Sequence, residues 1–327
     1  MYELLEILAD GKFHSGQKLG SQLQVSRASI WQTIKKFSEL GLEIHSVRGK
    51  GYRLTSSLDL LKQKSIFSSL GHEASSFIEE LEVLHTTEST NSYELERIQS
   101  CPDYVKRGKY NAVLAEYQTA GKGRRGRTWV SPFGKNIYLS LACQMELENS
   151  GIDGISLVSG LAVGRALKSL GTEEVGIKWP NDIVLNNKKL AGILLELQGD
   201  VTGVCNLVVG VGINVQCTEE EMCSVNQPWT DLSAAGEAAD RNQLAGSLIG
   251  HLIAALEEFQ QKGFTPFMEE WNLHDITLGQ AVVISSSSRQ WQGIAKGINN
   301  QGALLLDTGN GMESFSGGEV SLRKAVE

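Results

Sequence analysis

Between Gly121 and Trp129 the chain reads GKGRRGRTW, with four cations (Lys122, Arg124, Arg125, Arg127) and three glycines in nine residues. Such a stretch suits an anion: the cations neutralise its charge and the glycines let the backbone close around it. Gly121, Gly123 and Gly126 match the GxGxxG dinucleotide fingerprint, a strand-like run NAVLAEY precedes them, and Glu146 follows about twenty residues on. The rest of that fingerprint is missing. It needs a helix to open inside the motif, and here RTWVSPFGKNIYLSLACQM follows, with Pro132, Gly134 and strand alternation at Ile137, Tyr138 and Leu139. Four cations would also crowd the positive end of a helix. No GxxxxGK[ST] phosphate loop occurs anywhere. What remains is a cationic loop between two strands, expected to be mobile until an anion arrives and then to close over it. The plain alternative is a solvated basic loop.

Other segments carry candidate chemistry. TTESTN (Thr86 to Asn91) puts small polar side chains just before an expected helix. IKWPND (Ile177 to Asp182) interrupts a strand with a turn, and IVLNNKKLAGILLEL reads as a hairpin about Asn186-Asn187 with Lys189 opening the return strand. NLVVGVGINV (Asn206 to Val215) is an apolar strand whose Gly210 and Gly212 would let a ligand approach the backbone. Taken singly, each has a plain structural reading as helix cap, turn aspartate, hairpin lysine or strand glycine.

The elements that must position these residues fall into three blocks. Residues 1–57 carry eight Lys/Arg against five Asp/Glu, whereas the whole chain has a formal net charge of −8, so one end of an acidic protein is locally basic. Leu4, Leu5, Ile7 and Leu8 pattern a first helix; Ser15 caps a second, with Leu19 and Leu23 on one face. Ser26 caps a third, with Ile30, Ile34 and Phe37 inward and Gly41 ending it. A hairpin with a basic tip, Gly49-Lys50-Gly51, follows, which together predicts a winged helix-turn-helix. In it Arg27, Ser29, Trp31, Gln32 and Lys35 would face the DNA major groove, and Arg48 and Lys50 would touch phosphates. The alternative is a helical module that only docks on the rest. Further on, the spacing predicts core helices from Asp153 to Leu170 and from Arg241 to Gly263, then short alternating runs from about Leu278 that suggest a small β-barrel. The five cysteines are scattered without a CxxC pair, and the six histidines show no ligand spacing, so no metal site is expected. The acidic start MYELLEILAD is unlike a signal peptide and no apolar run is long enough to span a bilayer, so the expectation is a cytoplasmic protein away from membranes.

In order along the chain, ESTN, GKGRRGRTW, KWPND, KLAGIL and GVGIN resemble the bifunctional biotin–protein ligase and biotin operon repressor family, over nearly the full length. The resemblance implies an α+β multidomain chain: a winged helix-turn-helix at 1–57, a class II synthetase-like ligase domain at 58–272 and an SH3-like domain at 273–327. It implies that biotin and ATP, the latter bringing Mg²⁺, form biotinyl-5′-AMP, and that biotin passes to a lysine of the biotin carboxyl carrier protein of acetyl-CoA carboxylase. Arg124 and Arg127 would hold phosphates and carboxylate; Lys189 would reach carboxylate and phosphoryl oxygens; Asp182 would orient or deprotonate the acceptor amine. Ser89, Thr90 and Gln118 would bond the ureido ring, with Asn91, Gly121 and Lys122 in the same site and Trp129 and Gly192 walling the ring. Lys122 stands where the family more often has arginine. Asn214 would read adenine, with Trp229 over it. The adenylate would act as corepressor for a homodimer on the biotin operator, with Arg125 at the contact between protomers.

Three rivals remain at this level: a ligand-sensing winged-helix transcription factor that does no chemistry, a ligase whose first module never binds DNA, and a nucleotide-dependent oxidoreductase. Lys189 and the intact glycine/arginine loop speak against the first.

Overall fold

The structure, a computed structural model, describes residues 2–146, 152–172, 175–199, 203–236, 239–286, 288–318 and 320–324. Three short helices open the chain: α1 (Tyr2–Leu8), α2 (Gly16–Gln22) and α3 (Arg27–Glu39). Ser15 Oγ accepts from Lys18 N and Ser26 Oγ from Ser29 N, so the two caps read from sequence are made. Strands β1 (Ile44–Val47) and β2 (Gly51–Leu54) pair antiparallel as the wing. Gly51 is obligatory there, because its φ is +103° and a Cβ would lie 2.0 Å from His14 O. Leu4, Leu5, Leu8, Leu19, Ile30, Ile34 and Phe37 form the core of this unit, and Leu60 and Phe133 from beyond it join the same cluster.

Next come α4 (Gln63–Ser68), α5 (His72–Phe77), β3 (Ile78–Leu84), α6 (Thr90–Ser100), β4 (Tyr110–Ala115), β5 (Ile137–Glu146) and α7 (Ile152–Ser169). They are followed by β6 (Val175–Lys178), β7 (Asp182–Leu185), β8 (Lys188–Gly199), β9 (Val204–Ile213), α8 (Arg241–Lys262) and α9 (Met268–His274). The strands form one sheet in the order β3-β4-β5-β9-β8-β7-β6, parallel only between β3 and β4. Alternation sorts the two faces. Leu139, Leu141, Cys143 and Met145 of β5 point into the main core with α7 and α8. Ser140 and Ala142, the intervening residues, meet the side of α6. Helix α8 is capped by Asp240 Oδ1, which accepts from Asn242 N and Gln243 N, and it buries Leu244, Leu248, Leu252 and Leu256. Each buried leucine contributes roughly 1.5–3 kcal/mol, so this face is a main anchor of the sheet.

A buried ion pair ties the linker after the wing to this sheet. Arg241 Nη2 donates to Glu116 Oε2 at 2.7 Å, and Glu116 Oε1 accepts from Leu61 N at 2.6 Å. Arg241 also donates to Asp59 O and Asn136 O. Strands β10 (Ala281–Ser285), β11 (Gln290–Ile298), β12 (Leu304–Asp307), β13 (Met312–Phe315) and β14 (Ser321–Lys324) make a second antiparallel sheet in the order β13-β12-β11-β10-β14. Its Val282, Ile284, Leu304 and Leu306 merge with the main core. The amphipathic spacing placed α7, α8 and this terminal β unit well. It did not single out α4, α5, β3 or α9, which are too short for a helical or strand period to stand out.

Candidate ligand site

Five segments converge at one end of the large sheet. The start of α6 brings Ser89, Thr90 and Asn91; the turn after β4 brings Gln118; the glycine/arginine loop brings Lys122, Arg124 and Trp129; β8 and β9 bring Lys189, Gly192, Gly210 and Gly212. Together they line a cleft of about 470 Å³. The sequence placed Ser89 to Asn91 just before a helix; Thr90 and Asn91 in fact form its first turn, after Ser89.

The loop is a small hairpin. Gly123 N donates to Arg127 O at 2.7 Å, Trp129 N to Gly121 O at 2.8 Å, and Lys122 bridges to Thr128. Gly121 sits inside it: a Cβ there would lie 2.4 Å from Trp129 O, and its neighbours are Gln118 and Ser131. Trp129 lies flat on the sheet. A Cβ on Gly212 would come within 2.5 Å of the indole, and one on Gly192 within 3.0 Å. The close approach expected at Gly210 and Gly212 is therefore made by side chains of the protein, Asn91 on Gly210 and Trp129 on Gly212, and not by a ligand alone. Glycine is needed because a larger residue would displace the wall of the cleft.

Polar groups in the cleft are already organised. Gln118 Oε1 accepts from Thr90 N at 2.9 Å, and Gln118 Nε2 donates to Ser131 Oγ at 3.0 Å. Lys189 Nζ donates to Asp182 Oδ1 at 2.7 Å and lies 5.5 Å from the Trp129 ring. Arg124 Nη1 donates to Asn181 Oδ1 at 3.0 Å, and its Nη2 reaches Gly317 O and Val320 O of the terminal sheet. Arg125, held at φ 58°, also turns to that sheet, with Nη1 3.4 Å from Ser285 O and 3.3 Å from Ser321 Oγ.

A second, larger cavity of about 2020 Å³ shares Arg124, Asn181 and Lys189 with the first and runs to the terminal sheet. Its walls are cationic: Arg125, Arg127, Lys178, Arg323 and Lys324 join the shared pair, against the single carboxylate, among the described residues, of Asp182. Burial pushes the Lys178 ammonium below its usual range, and Lys189, Arg323 and Arg127 push the same way, while Asp182 opposes them. Lys178, Asn181 and Arg323 were not singled out from sequence. Asn181 sits beside Asp182, which was, Lys178 lies in the same KWPND segment, and Arg323 gave no local signal.

Asn214 and Trp229 lie beside these cavities, outside their walls. Asn214 is buried, its Nδ2 donates to Thr230 O at 3.1 Å, and its Oδ1 has no partner among the described residues. The segment with Trp229 is zipped to β8, as Lys189 N donates to Pro228 O and Thr230 N to Lys189 O, both at 3.0 Å. Among the described residues no group of three or more His, Cys, Asp or Glu side chains forms a metal cage. On the first unit, Arg27, Trp31, Gln32 and Lys35 of α3 and Arg48 and Lys50 of the wing are exposed, and Ser29 is half-buried; Trp31 is 58% exposed.

Comparison with known proteins agrees with this layout. Residues 83–214 match the biotin/lipoate A/B protein ligase family, residues 1–53 an HTH domain and residues 277–323 the biotin protein ligase C terminal domain. The bifunctional ligase/repressor BirA of Escherichia coli is 42% identical over 323 residues, covering 99% of this chain and 97% of that one. The protein of the same name from Bacillus subtilis is 31% identical over 329 residues, covering 98% of each. Among solved structures, a biotin protein ligase from Aquifex aeolicus in complex with biotin and ATP superposes with a TM-score of 0.63 at 28% identity, covering 76% of this chain and all of that one. With such identity along almost the whole of both chains, this chain belongs to the BirA family of bifunctional ligase/repressors.

Proposed function

We propose that the chain is an ATP-dependent biotin–protein ligase that is also a DNA-binding repressor of biotin synthesis genes. The observation that carries the ligase reading is the junction of the two cavities. A small cleft of neutral hydrogen-bonding groups, walled by an indole, opens past Arg124 and Lys189 into a large cationic one. The first suits a neutral ureido ring and the second a polyphosphate, and the shared cations stand where a carboxylate and an α-phosphate would meet. Two such charges 4 Å apart repel by roughly 4 kcal/mol at an effective dielectric near 20, so cations at the junction lower the barrier directly.

In the first step the biotin carboxylate oxygen attacks the α-phosphorus of ATP; the new P–O bond replaces the bond to the leaving pyrophosphate. Arg124, Arg127 and Lys189 hold the charge through this step. In the second, the ε-amine of a carrier-protein lysine attacks the acyl carbon, loses its proton, and AMP leaves with the electron pair. Asp182, which opens only onto the larger cavity, orients that amine or takes its proton. Ser89, Thr90, Asn91, Gln118, Gly121, Lys122, Trp129 and Gly192 hold biotin; Asn214, whose Oδ1 is unpaired among the described residues, suits the amino group of adenine, and Trp229 covers it. Mg²⁺ fits as an ion carried by the nucleotide, since Asp182 is the one carboxylate on the cationic cavity among the described residues. It supplies charge neutralisation on the phosphates.

The repressor reading rests on the exposed α3 and wing residues, with units at 1–57, 58–272 and 273–327. Arg27, Ser29, Trp31, Gln32 and Lys35 enter the major groove and Arg48 and Lys50 grip phosphates. The adenylate-loaded form is a homodimer on a two-fold operator, with Arg125 near the contact. Along that edge of β8, strand β7 pairs with Lys188–Gly192 and Asn181 bonds Ile193, and among the described residues the edge beyond Ile193 is open to a second copy. No helix among the described residues is long and apolar enough to cross a membrane, and the protein works in the cytoplasm with its carrier protein.

Incubation of the full chain with ATP, biotin and a carrier domain tests the ligase: the carrier gains the mass of one biotinyl group. No mass gain rejects it. A gel shift on the operator, with and without biotinyl-5′-AMP, separates the repressor from a ligase that never binds DNA.

A further inference from the structure

We infer that Glu196 is a positioning residue of this ligase, setting through Asn91 and Ser140 the orientation in which Thr90 meets the ureido ring. The inference rests on the biotin reading of the small cleft.

Glu196 on β8 stands away from the cleft; it does not line it. Asn91 Nδ2 donates to Glu196 Oε2 at 2.8 Å and to Leu194 O at 3.3 Å. Both partners only accept, so the nitrogen of the amide must face them and Asn91 Oδ1 must face the other way. There Ser140 Oγ lies 2.5 Å from Asn91 Oδ1 and 2.8 Å from Thr90 Oγ1. A serine has one proton, and the amide oxygen can only accept, so that proton goes to Asn91. Ser140 then has only lone pairs for Thr90. The Thr90 proton is drawn to Ser140 or to Gln118 Oε1, 3.3 Å away. Either way Thr90 Oγ1 is left with a lone pair and no proton for a ligand, and it accepts from an N–H, the group a ureido ring offers.

The inner bonds of the chain are shielded: Thr90, Asn91 and Ser140 are buried, and Glu196 at the far end is half-buried. The chain of bonds is also rigid. Ser140, Gly210 and Leu194 sit side by side across β5, β9 and β8, and a Cβ on Gly210 would lie 2.2 Å from Asn91 Oδ1. The amide of Asn91 is thus held against the strand, and because its oxygen and nitrogen are nearly the same size, its hydrogen bonds decide which end faces Glu196.

The test is steady-state biotin transfer by the full chain, with biotin and ATP varied separately. Glu196→Ala is expected to raise KM for biotin by roughly tenfold, with KM for ATP unchanged within about twofold. Glu196→Gln, which still offers an acceptor oxygen, stays within about threefold of the parent. Asn91→Asp sets two carboxylates together and raises KM for biotin, and the double variant Asn91→Asp/Glu196→Gln, with donor and acceptor exchanged on the shorter bond, recovers part of the loss, Leu194 O being left without its donor. An active parent whose Glu196→Ala variant keeps its KM for biotin, or loses only kcat and thermal midpoint, overturns the inference and leaves the ligase standing. A double variant no better than Asn91→Asp overturns it as well, even where Glu196→Ala fails to fold. A parent that transfers no biotin sinks the ligase reading, and this one with it.

Discussion

Lys189 and Asp182 face each other across the β7–β8 hairpin, Nζ to Oδ1 at 2.7 Å, where the pairing register shifts between Ile183 and Val184. Lys189 lines both cavities and Asp182 only the larger. The pair therefore links the group assigned to adenylate formation with the group assigned to the incoming amine.

Removing each member should separate the two half-reactions. Lys189→Ala is expected to slow adenylate formation by about 10²–10³-fold, the usual cost of losing one pre-oriented charge donor, with the fold intact. Asp182→Asn should slow transfer from preformed adenylate more than it slows pyrophosphate release. Pyrophosphate release and single-turnover transfer, measured separately, check both.

Gly212→Ala should open the wall of the small cleft. The added methyl would sit 2.5 Å from Trp129, so the indole must lift. Biotin affinity by calorimetry is expected to fall by tenfold or more, while ATP binding changes little. An unchanged biotin affinity would place the ring elsewhere.

Glu116→Ala leaves Arg241 buried without its partner, in a pair whose side chains are 1% and 4% exposed. Breaking such a pair costs about 3–5 kcal/mol. Urea unfolding should show that loss, and because Glu116 also accepts from Leu61 N, limited proteolysis should cut near residue 61 more readily.

Glu94 on α6 is fully buried, and burial pushes its carboxyl from the usual 4.5 up to about 8, with Tyr104 and Arg97 opposing. The folded form therefore holds a proton that the unfolded chain releases. Its contribution to stability is complete below pH 4.5 and is lost as pH rises through about 8. Glu94→Gln should remove that slope, gaining on the parent by ~1 kcal/mol or more between pH 6 and 8.5. Urea midpoints at the two pH values read it.

On the DNA side, Arg48→Ala and Lys50→Ala should weaken operator binding about equally for all sequences. Each should lower the slope of log K against log salt by about one. Trp31→Ala should instead relax sequence preference. None of the three should alter biotin transfer, since all lie on the exposed α3 and wing.

The local pieces were legible in the residues alone. Caps at Ser15 and Ser26, the Asn186-Asn187 turn, the 3.6-residue period of α8 and the cationic loop all depend on neighbours a few residues apart, and such neighbours are visible in a string of letters. The ordered set of motifs was enough to point to the family. Which side chains meet became visible once the chain was folded. Asn91 and Glu196 are 105 residues apart, Glu116 and Arg241 are 125 apart, and Arg124 reaches a terminal sheet nearly 200 residues on. Glu196, Ser140 and Lys178 carry no local pattern that sets them off from ordinary strand residues. They acquire their roles because strand pairing is a long-range choice, made by burying one face of a sheet, and it brings a half-buried carboxylate to the one amide it can orient.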